Sequence, residues 1–218
     1  MQVTIAVANL SHTKYATDIC NMMSEAAKIR GTGIAKREPE YISLKISEGK
    51  AVIAMDQEKV IGFCYIESWQ NQGFVANSGL IVHPDYRKTG LAKDIKKLIF
   101  AQSIKLFPKA KLFGITTSKA VMKINSDLGY KPTTFSELTT DEKFWNGCKT
   151  CTNYDILTRT NKSMCLCTAM VCDLDKLNPS DKKSKWEDFK QFLSERTVRR
   201  KKRADEDPQL KNLMNNEK

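Results

Sequence analysis

Residues 78–92 constrain the fold more strongly than any other stretch of this chain. An apolar run ends at Pro84, a basic turn with Gly90 follows, and the next residues have helical periodicity. This pattern predicts a strand that ends at the proline and a tight turn that leads directly into a helix. The first amide groups of a helix lack partners and lie at the positive end of its dipole, so the turn suits a diphosphate. The turn carries two cationic side chains, Arg87 and Lys88.

The order of the other elements predicts a sheet covered by helices. The predicted strands are Val3–Val7, Ala51–Met55, Lys59–Trp69, Phe74–Val82 and Lys111–Thr116, with a final hairpin of Asn153–Leu157 and Met164–Cys172. The predicted helices are His12–Arg30, a segment from Pro39 to Gly49, Gly90–Leu106 and Ser118–Leu128, and an amphipathic helix at Ser184–Leu193. This mixed order is typical of an α+β or α/β fold with helices on both sides of the sheet.

The composition is that of a globular protein. Hydrophobic residues make up 41% of the chain and charged residues 28%, which argues against a disordered or membrane-embedded class. No apolar run approaches the ~20 residues that a spanning helix needs, and the N-terminus lacks a secretory pattern, so we expect a cytoplasmic protein. The net charge of +11 favours anionic ligands.

Residues 78–92 resemble the acetyl-coenzyme A motif of the GNAT acyltransferase superfamily, in which Val-x-Pro-x-Tyr-Arg precedes x-x-Gly-x-Gly/Ala. Ala92 stands where glycine is commoner, a tolerated departure. The resemblance implies the GNAT fold, with a mixed, mostly antiparallel sheet of about six to seven strands, and acetyl-CoA or succinyl-CoA as co-substrate. The implied coenzyme-binding residues are Leu80, Ile81, Val82, Arg87, Lys88, Thr89, Gly90, Leu91, Ala92, Ser118 and Asn125.

The resemblance, together with simple chemistry, suggests the catalytic residues. The backbone N–H of Val82 is assigned to the thioester oxygen, and Glu67 is the first candidate base, with a solvated strand-end glutamate as the alternative. Asn125 stands where the family has a tyrosine that acts as general acid; an amide cannot release a proton near neutral pH, although it could hydrogen-bond the thiolate. Tyr130 is the nearest phenol, with a core aromatic as the alternative.

Three further segments, at 31–37, 63–67 and 144–148, resemble bacterial single-domain GNAT proteins that acylate the α-amine of glutamate in arginine biosynthesis. The likeness covers about residues 1–175 and implies a small-molecule amine, most plainly glutamate, as acceptor. Because arginine binds carboxylates well, the predicted substrate-binding residues are Arg30, Lys36 and Arg37, with a basic loop as the alternative. A protein or another small amine is the alternative acceptor.

Cys148, Cys151, Cys165 and Cys167 have spacings that suit a structural zinc ion, and small core residues are the alternative.

We expect a GNAT domain at 1–175, with a core at 1–135 and a Cys-rich hairpin at 144–172, followed by a helix and a basic polar tail at 176–218. The tail admits an alternative class, a zinc-stabilised nucleic-acid-binding module, but no aromatic residues interleave its basic run. We expect no membrane contact, and a homodimer stays open.

Overall fold

The computed structural model describes residues 3–30 and 36–177. The chain divides into two units, Met1–Asp175 and Lys176–Lys218, and all the strands and α-helices given below belong to the first. The predicted helix at 184–193, the basic tail and most of the predicted segment 31–37 lie outside the described residues.

Seven described strands form one sheet in the order β1-β2-β3-β4-β5-β7-β6. The strands are β1 (Val3–Val7), β2 (Ala51–Asp56), β3 (Lys59–Trp69), β4 (Phe74–Val82), β5 (Lys111–Thr116), β6 (Lys131–Thr133) and β7 (Thr168–Asp173). Neighbouring strands pair antiparallel except for β4 and β5, which are parallel. The predicted fold class, a mixed and mostly antiparallel sheet, is therefore confirmed.

The described α-helices begin where the sequence supplies start signals. They are α1 (Ala16–Arg30), α2 (Pro39–Ser47), α3 (Leu91–Leu106), α4 (Lys119–Asp127), α5 (Glu142–Asn146) and α6 (Tyr154–Arg159). Proline opens α2, and the side chain of Ser118 accepts a hydrogen bond from the Val121 N–H at the start of α4. A 3-10 helical turn at Leu10–Tyr15 replaces the first part of the predicted helix at His12–Arg30.

Helices cover both faces of the sheet. Successive side chains of β3 point to opposite faces, so this strand contacts helices on each side. Phe63 and Tyr65 pack in one core cluster with Ile19 of α1 and Ile42 of α2. On the other face α3 lies so close that a Cβ atom at Gly62 would come within 2.5 Å of Ile95 Cδ1. The sheet is therefore a central layer with α1 and α2 on one side and α3 on the other.

β4 and β5 are paired for only three residues before they separate. The parallel register runs from Phe74–Lys111 to Ala76–Phe113, and beyond it β4 continues to Val82 without β5. A bulge in β4 accompanies the separation, since Phe63 pairs with Ile81 but Tyr65 pairs with Ser78. The separation opens a cleft in the middle of the sheet.

The predicted Cys-rich hairpin is wrong. Helix α6 stands where its first strand was expected, and the second strand is shorter, covering only Thr168–Asp173. A short apolar run such as 153–157 fits a helix and a strand equally well, so its packing decides. Here Leu157 packs beside Trp145 of α5 against Phe113, and residues 135–167 form a cap over β4, β5 and β7.

Candidate active site

A cavity of about 1340 Å³ occupies the cleft between β4 and β5. Residues 76–81 form one wall of the cavity and residues 113–118 form the other. The remaining sides are closed by the C-terminal end of β3, the N-terminal end of α2 and the cap from 135 to 167. Backbone groups along the separated strand edges face this space, because the two strands no longer pair with each other there. The cleft can therefore accept an extended, hydrogen-bonding ligand between the two strands.

The loop between β4 and α3 presents a run of unpaired amide groups. The Tyr86 and Arg87 amides donate to carbonyl groups within the turn, and the Lys93 amide donates to the Gly90 carbonyl at 2.8 Å. Positive φ values of 65° at Lys88 and 92° at Gly90 turn the backbone between them. In this loop, no group of the described residues accepts a hydrogen bond from the amides of Lys88, Thr89, Gly90, Leu91 and Ala92. Five such donors at a helix N-terminus are what an anion-binding loop requires.

Side-chain contacts fix the shape of this loop. The Tyr86 hydroxyl donates to Asp56 Oδ2 at 2.6 Å, which ties the loop to the β2–β3 turn. The Thr89 hydroxyl donates to the Tyr86 carbonyl at 2.7 Å, and Arg87 Nε approaches the Val82 carbonyl at 3.4 Å. The loop conformation is thus held by the protein itself, before any ligand binds.

The N–H of Val82 points away from β3. The His83 amide donates to the Ile61 carbonyl at 2.8 Å, so Ile61 and His83 form a hydrogen-bonded pair. In an antiparallel ladder the next pair, Gly62 and Val82, directs its N–H groups outward. The Val82 N–H consequently lies on the edge of β4 that β5 has left, although Val82 is not among the residues that line the cavity.

Glu67 lies on the cavity wall at the end of β3, in contact with a buried lysine. Lys45 Nζ donates to Glu67 Oε1 at 2.9 Å, and the two side chains are only 10% and 17% exposed. Burial raises the pKa of Glu67 to about 7, while the Ser68 N–H and Arg37 act in the opposite direction. A carboxyl group with such a pKa can exchange a proton with a ligand near neutral pH.

Of the three predicted substrate-binding residues, Arg37 and Lys36 line the cavity. Arg37 Nε donates to the Tyr65 hydroxyl at 2.7 Å, and its Nη1 donates to the Lys36 carbonyl at 3.0 Å. Lys36 is exposed and pairs with Glu38 at 3.0 Å. The side chain of Arg30 is not described. Of the two described cations, Arg37 is therefore the less exposed, and the Tyr65 hydroxyl holds it at the cavity wall.

The residues predicted from α4 and its flanks do not all reach the cavity. Ser118 lines it, but Asn125 and Tyr130 do not. Asn125 is buried with no partner for Oδ1 in the described chain, and its Nδ2 would lie 3.8 Å from a Cβ at the cavity residue Gly114. The Tyr130 hydroxyl donates to Asn77 Oδ1 at 3.2 Å, and burial raises its pKa well above the usual value. Its place is that of a core aromatic, so this geometry does not support Tyr130 as an acid.

The four clustered cysteines lie on the cap side of the cavity. Cys148, Cys151, Cys165 and Cys167 all line it and all are free thiols. Burial, followed by the charges of neighbouring cysteines, raises the pKa of Cys148 to about 11 and that of Cys167 to about 12. Within residues 3–30 and 36–177, however, no three histidine, cysteine or acidic side chains are arranged to hold a metal ion.

Lys45 is the site residue that sequence reasoning missed. It lies on the face of α2 that carries Ile42 and Ile46, and the side chain is buried. A lysine at helical spacing within an apolar stripe is a visible signal, because lysine is rarely buried without a partner. The partner, Glu67, is 22 residues away and only the fold brings it close.

Residues 19–106 match the model of the Acetyltransferase (GNAT) family. None of the curated protein sequences compared with the chain matches it. Within the described part of the chain, no helix combines the length and the apolar character needed to cross a membrane.

Solved structures share the fold at low identity. N-acetylglutamate synthase from Neisseria gonorrhoeae, complexed with coenzyme A and N-acetyl-glutamate, is 15% identical with a TM-score of 0.55, over 80% of this chain and 35% of that one. The present chain thus spans about a third of the synthase. Rv2747 from Mycobacterium tuberculosis, in complex with CoA, is 12% identical with a TM-score of 0.56, over 78% of this chain and 98% of its own.

Phosphinothricin acetyltransferase from Sinorhizobium meliloti, in complex with acetyl-CoA, is 14% identical with a TM-score of 0.53, over 79% of this chain and 88% of its own. These likenesses concern the fold, whereas the family match concerns the sequence of residues 19–106, which includes β4, the loop and α3. The chain therefore shares its fold with these solved structures, and residues 19–106 within that fold match the GNAT family model.

Proposed function

We propose that the chain transfers an acyl group from acyl-CoA directly to the α-amine of a small acidic amino acid, with glutamate as the first acceptor to test. The observation that carries the coenzyme part is the run of five unpaired amides at 88–92. A diphosphate needs several donors close together, and this loop supplies them directly after β4, although none of its residues lines the cavity. Ser118 and the edges of residues 77–81 and 114–117 would take the pantetheine portion.

The proposed chemistry uses few side chains. The acceptor enters as an ammonium ion and gives one proton to the Glu67 carboxylate. Its free amine then attacks the thioester carbon, the C–N bond forms, and the negative charge on the oxygen is stabilised by the Val82 N–H. The C–S bond breaks, the nitrogen releases its second proton to solvent, and the leaving thiolate takes one proton, from Glu67 or from solvent, so that Glu67 ends as a carboxylate. Holding both reactants in one cleft supplies much of the rate enhancement.

Protonation of the thiolate has no assigned side chain. Asn125 cannot supply a proton, since an amide does not ionise near neutral pH. Its Nδ2 donates to Met170 Sδ at 3.9 Å, and the residue is not among those that line the cavity. We therefore propose that CoA leaves as a thiolate, with the proton coming from Glu67 or from solvent.

Arg37 supports an acidic acceptor. Its guanidinium is held on the acceptor side of the cavity by Tyr65, at a place where Glu67 would meet the incoming amine. Arginine binds a carboxylate through two parallel hydrogen bonds, so an amino acid could lie with its carboxylate on Arg37 and its amine near Glu67. Lys143 of α5 also lines the cavity and offers a second cation for a side-chain carboxylate.

A thiol-release screen tests this assignment. The protein is assayed with acetyl-CoA and with succinyl-CoA against glutamate, glutamine, other amino acids, polyamines and a lysine peptide. Glutamate should be the best acceptor, and glutamine, which has the same shape without the second charge, should be much poorer. A flat response to glutamate with a strong response to the peptide or to polyamines would overturn the glutamate assignment and favour the protein or other small-amine alternative.

A structural zinc ion at the four cysteines is a separate proposal. Four thiols on one side of the cleft are a donor set that zinc prefers, although the described side chains as placed do not form a metal site. About one zinc per chain, lost in C165S/C167S together with thermal stability, would support it. Metal-free purified protein with an unchanged melting temperature after chelation would contradict it.

An acyl-CoA co-substrate and reduced cysteines fit a cytoplasmic protein, which is the proposed location. A homodimer remains a prediction that light scattering on the purified protein can test.

A further inference from the structure

Lys45 is a buried cation at the edge of the proposed acceptor site. It is only 8% exposed, and it shares the inner face of α2 with Ile42 and Ile46. Its ammonium lies 5.0 Å from the centre of the Tyr41 ring and 2.9 Å from Glu67 Oε1. A buried lysine loses side-chain freedom and hydration, so its ammonium needs a partner of opposite charge.

The charges around this pair come from three elements. Arg37, just before α2, faces both Glu67 and Lys45, and Glu48 and Lys50 lie near Lys45 where α2 ends. On β3 itself, the Ser68 N–H faces the Glu67 carboxylate. Burial lowers the pKa of Lys45, the opposite direction to its effect on Glu67. The contact at 2.9 Å favours the charged form of each partner.

Other contacts keep the pair where the acceptor would bind. Tyr41 packs edge-on against Tyr65 with ring centres 5.9 Å apart, and Tyr65 accepts the hydrogen bond from Arg37. Tyr41, Tyr65 and Glu67 all line the cavity, whereas Lys45 does not. The ammonium of Lys45 therefore reaches the carboxylate from behind the cavity wall and leaves the cavity side of Glu67 open to a ligand.

We propose that Lys45 is a positioning residue for acyl transfer, which holds the Glu67 carboxylate in one orientation at the wall of the acceptor site and favours its ionised form. This inference rests on the proposed function. During the reaction Lys45 keeps its own protons, and only Glu67 exchanges one with the acceptor ammonium. Without the nearby cation, the buried carboxyl would stay protonated to higher pH and could not accept that proton.

The pH profile of kcat/KM separates this role from a structural one. Activity requires ionised Glu67, so it should rise with pH on an acidic limb. In K45M that limb should move to higher pH by about one unit or more, with a loss of about fivefold or more at pH 7 that shrinks at higher pH. K45R should keep the limb near its original pH. K50M is the matched control, because Lys50 is nearby and pairs with Glu48 at 2.9 Å rather than with Glu67.

Glu67→Gln shows whether a negative result contradicts the role of Lys45 or the role of Glu67 as the base. If E67Q keeps the activity and the acidic limb, Glu67 is not the base and the proposed mechanism fails. If E67Q abolishes the limb while K45M leaves it at the original pH, the role of Lys45 is refuted and the mechanism stands. Circular dichroism melting curves show whether each variant is folded. If K45M is not folded, the pH profile of K45R is used instead, and a limb far from the original pH would contradict the inference.

Discussion

Replacing Gly90 with glutamate should block coenzyme binding by putting a negative charge where the diphosphate is expected. Gly90 precedes α3 at φ +92°, and an added Cβ would meet no atom within 4 Å. The new side chain therefore has room. The free energy of unfolding should fall only by the backbone cost of a non-glycine residue in the left-handed region, about 1–2 kcal/mol.

The expected loss of affinity follows from the charge. The five unpaired amides at 88–92 would hold the phosphates next to the new carboxylate. Two like charges about 4 Å apart repel by about 1 kcal/mol in water and about 4 kcal/mol at a protein surface, where the effective dielectric constant is lower. The dissociation constant for CoA should accordingly rise between about fivefold and 1,000-fold, and less at high salt.

Isothermal titration with CoA measures the effect, and Gly49→Glu is the matched control. Gly49 also has a positive φ, +64°, and no atom near an added Cβ, but its carbonyl accepts from Gln102, near the end of α3 opposite to Gly90. Both variants should lose similar stability in urea, but only G90E should lose affinity for CoA. If G90E binds CoA as tightly as the wild type, or if G49E loses as much affinity, the loop is not the diphosphate site.

Two further predictions concern the framework of the site. Gly79→Ala places a Cβ 2.6 Å from Tyr65 Cε1 at φ +64°, so the free energy of unfolding should fall by about 2–4 kcal/mol. An unchanged urea midpoint would contradict the close approach of Gly79 to Tyr65. Tyr86→Phe removes the hydrogen bond to Asp56 and should weaken CoA binding less than G90E does, whereas unchanged affinity by titration would mean that this contact does not shape the loop.

Local patterns were sufficient to predict the core strands and the loop. Phe74–Val82 and Lys111–Thr116 have the predicted bounds, because their apolar runs are bounded by proline, glycine and polar residues. The turn at Gly90 could be predicted for the same reason, since strand, turn and helix start are all encoded within fifteen consecutive residues of the sequence. The left-handed conformation of Lys88 had no signal, because lysine does not favour it.

Long-range contacts could not be predicted in the same way. The contact between Lys45 and Glu67 depends on how α2 packs against β3, which the sequence of neither element specifies alone. The cap at 135–167 was misread because its short apolar runs are ambiguous, and burial against Phe113 selects the helix at Tyr154. Asn125 was expected at the site from the family resemblance and Tyr130 as the nearest phenol, but both are buried and neither lines the cavity.

The central claim is that the amides of residues 88–92 bind the coenzyme diphosphate, and a ¹H–¹⁵N NMR titration with CoA tests it most directly. At saturating CoA the five amide resonances should move downfield as they gain an acceptor. Those of Tyr86 and Arg87, which already donate within the turn, should move much less. Saturable binding of CoA that leaves the resonances of 88–92 in place would contradict the claim.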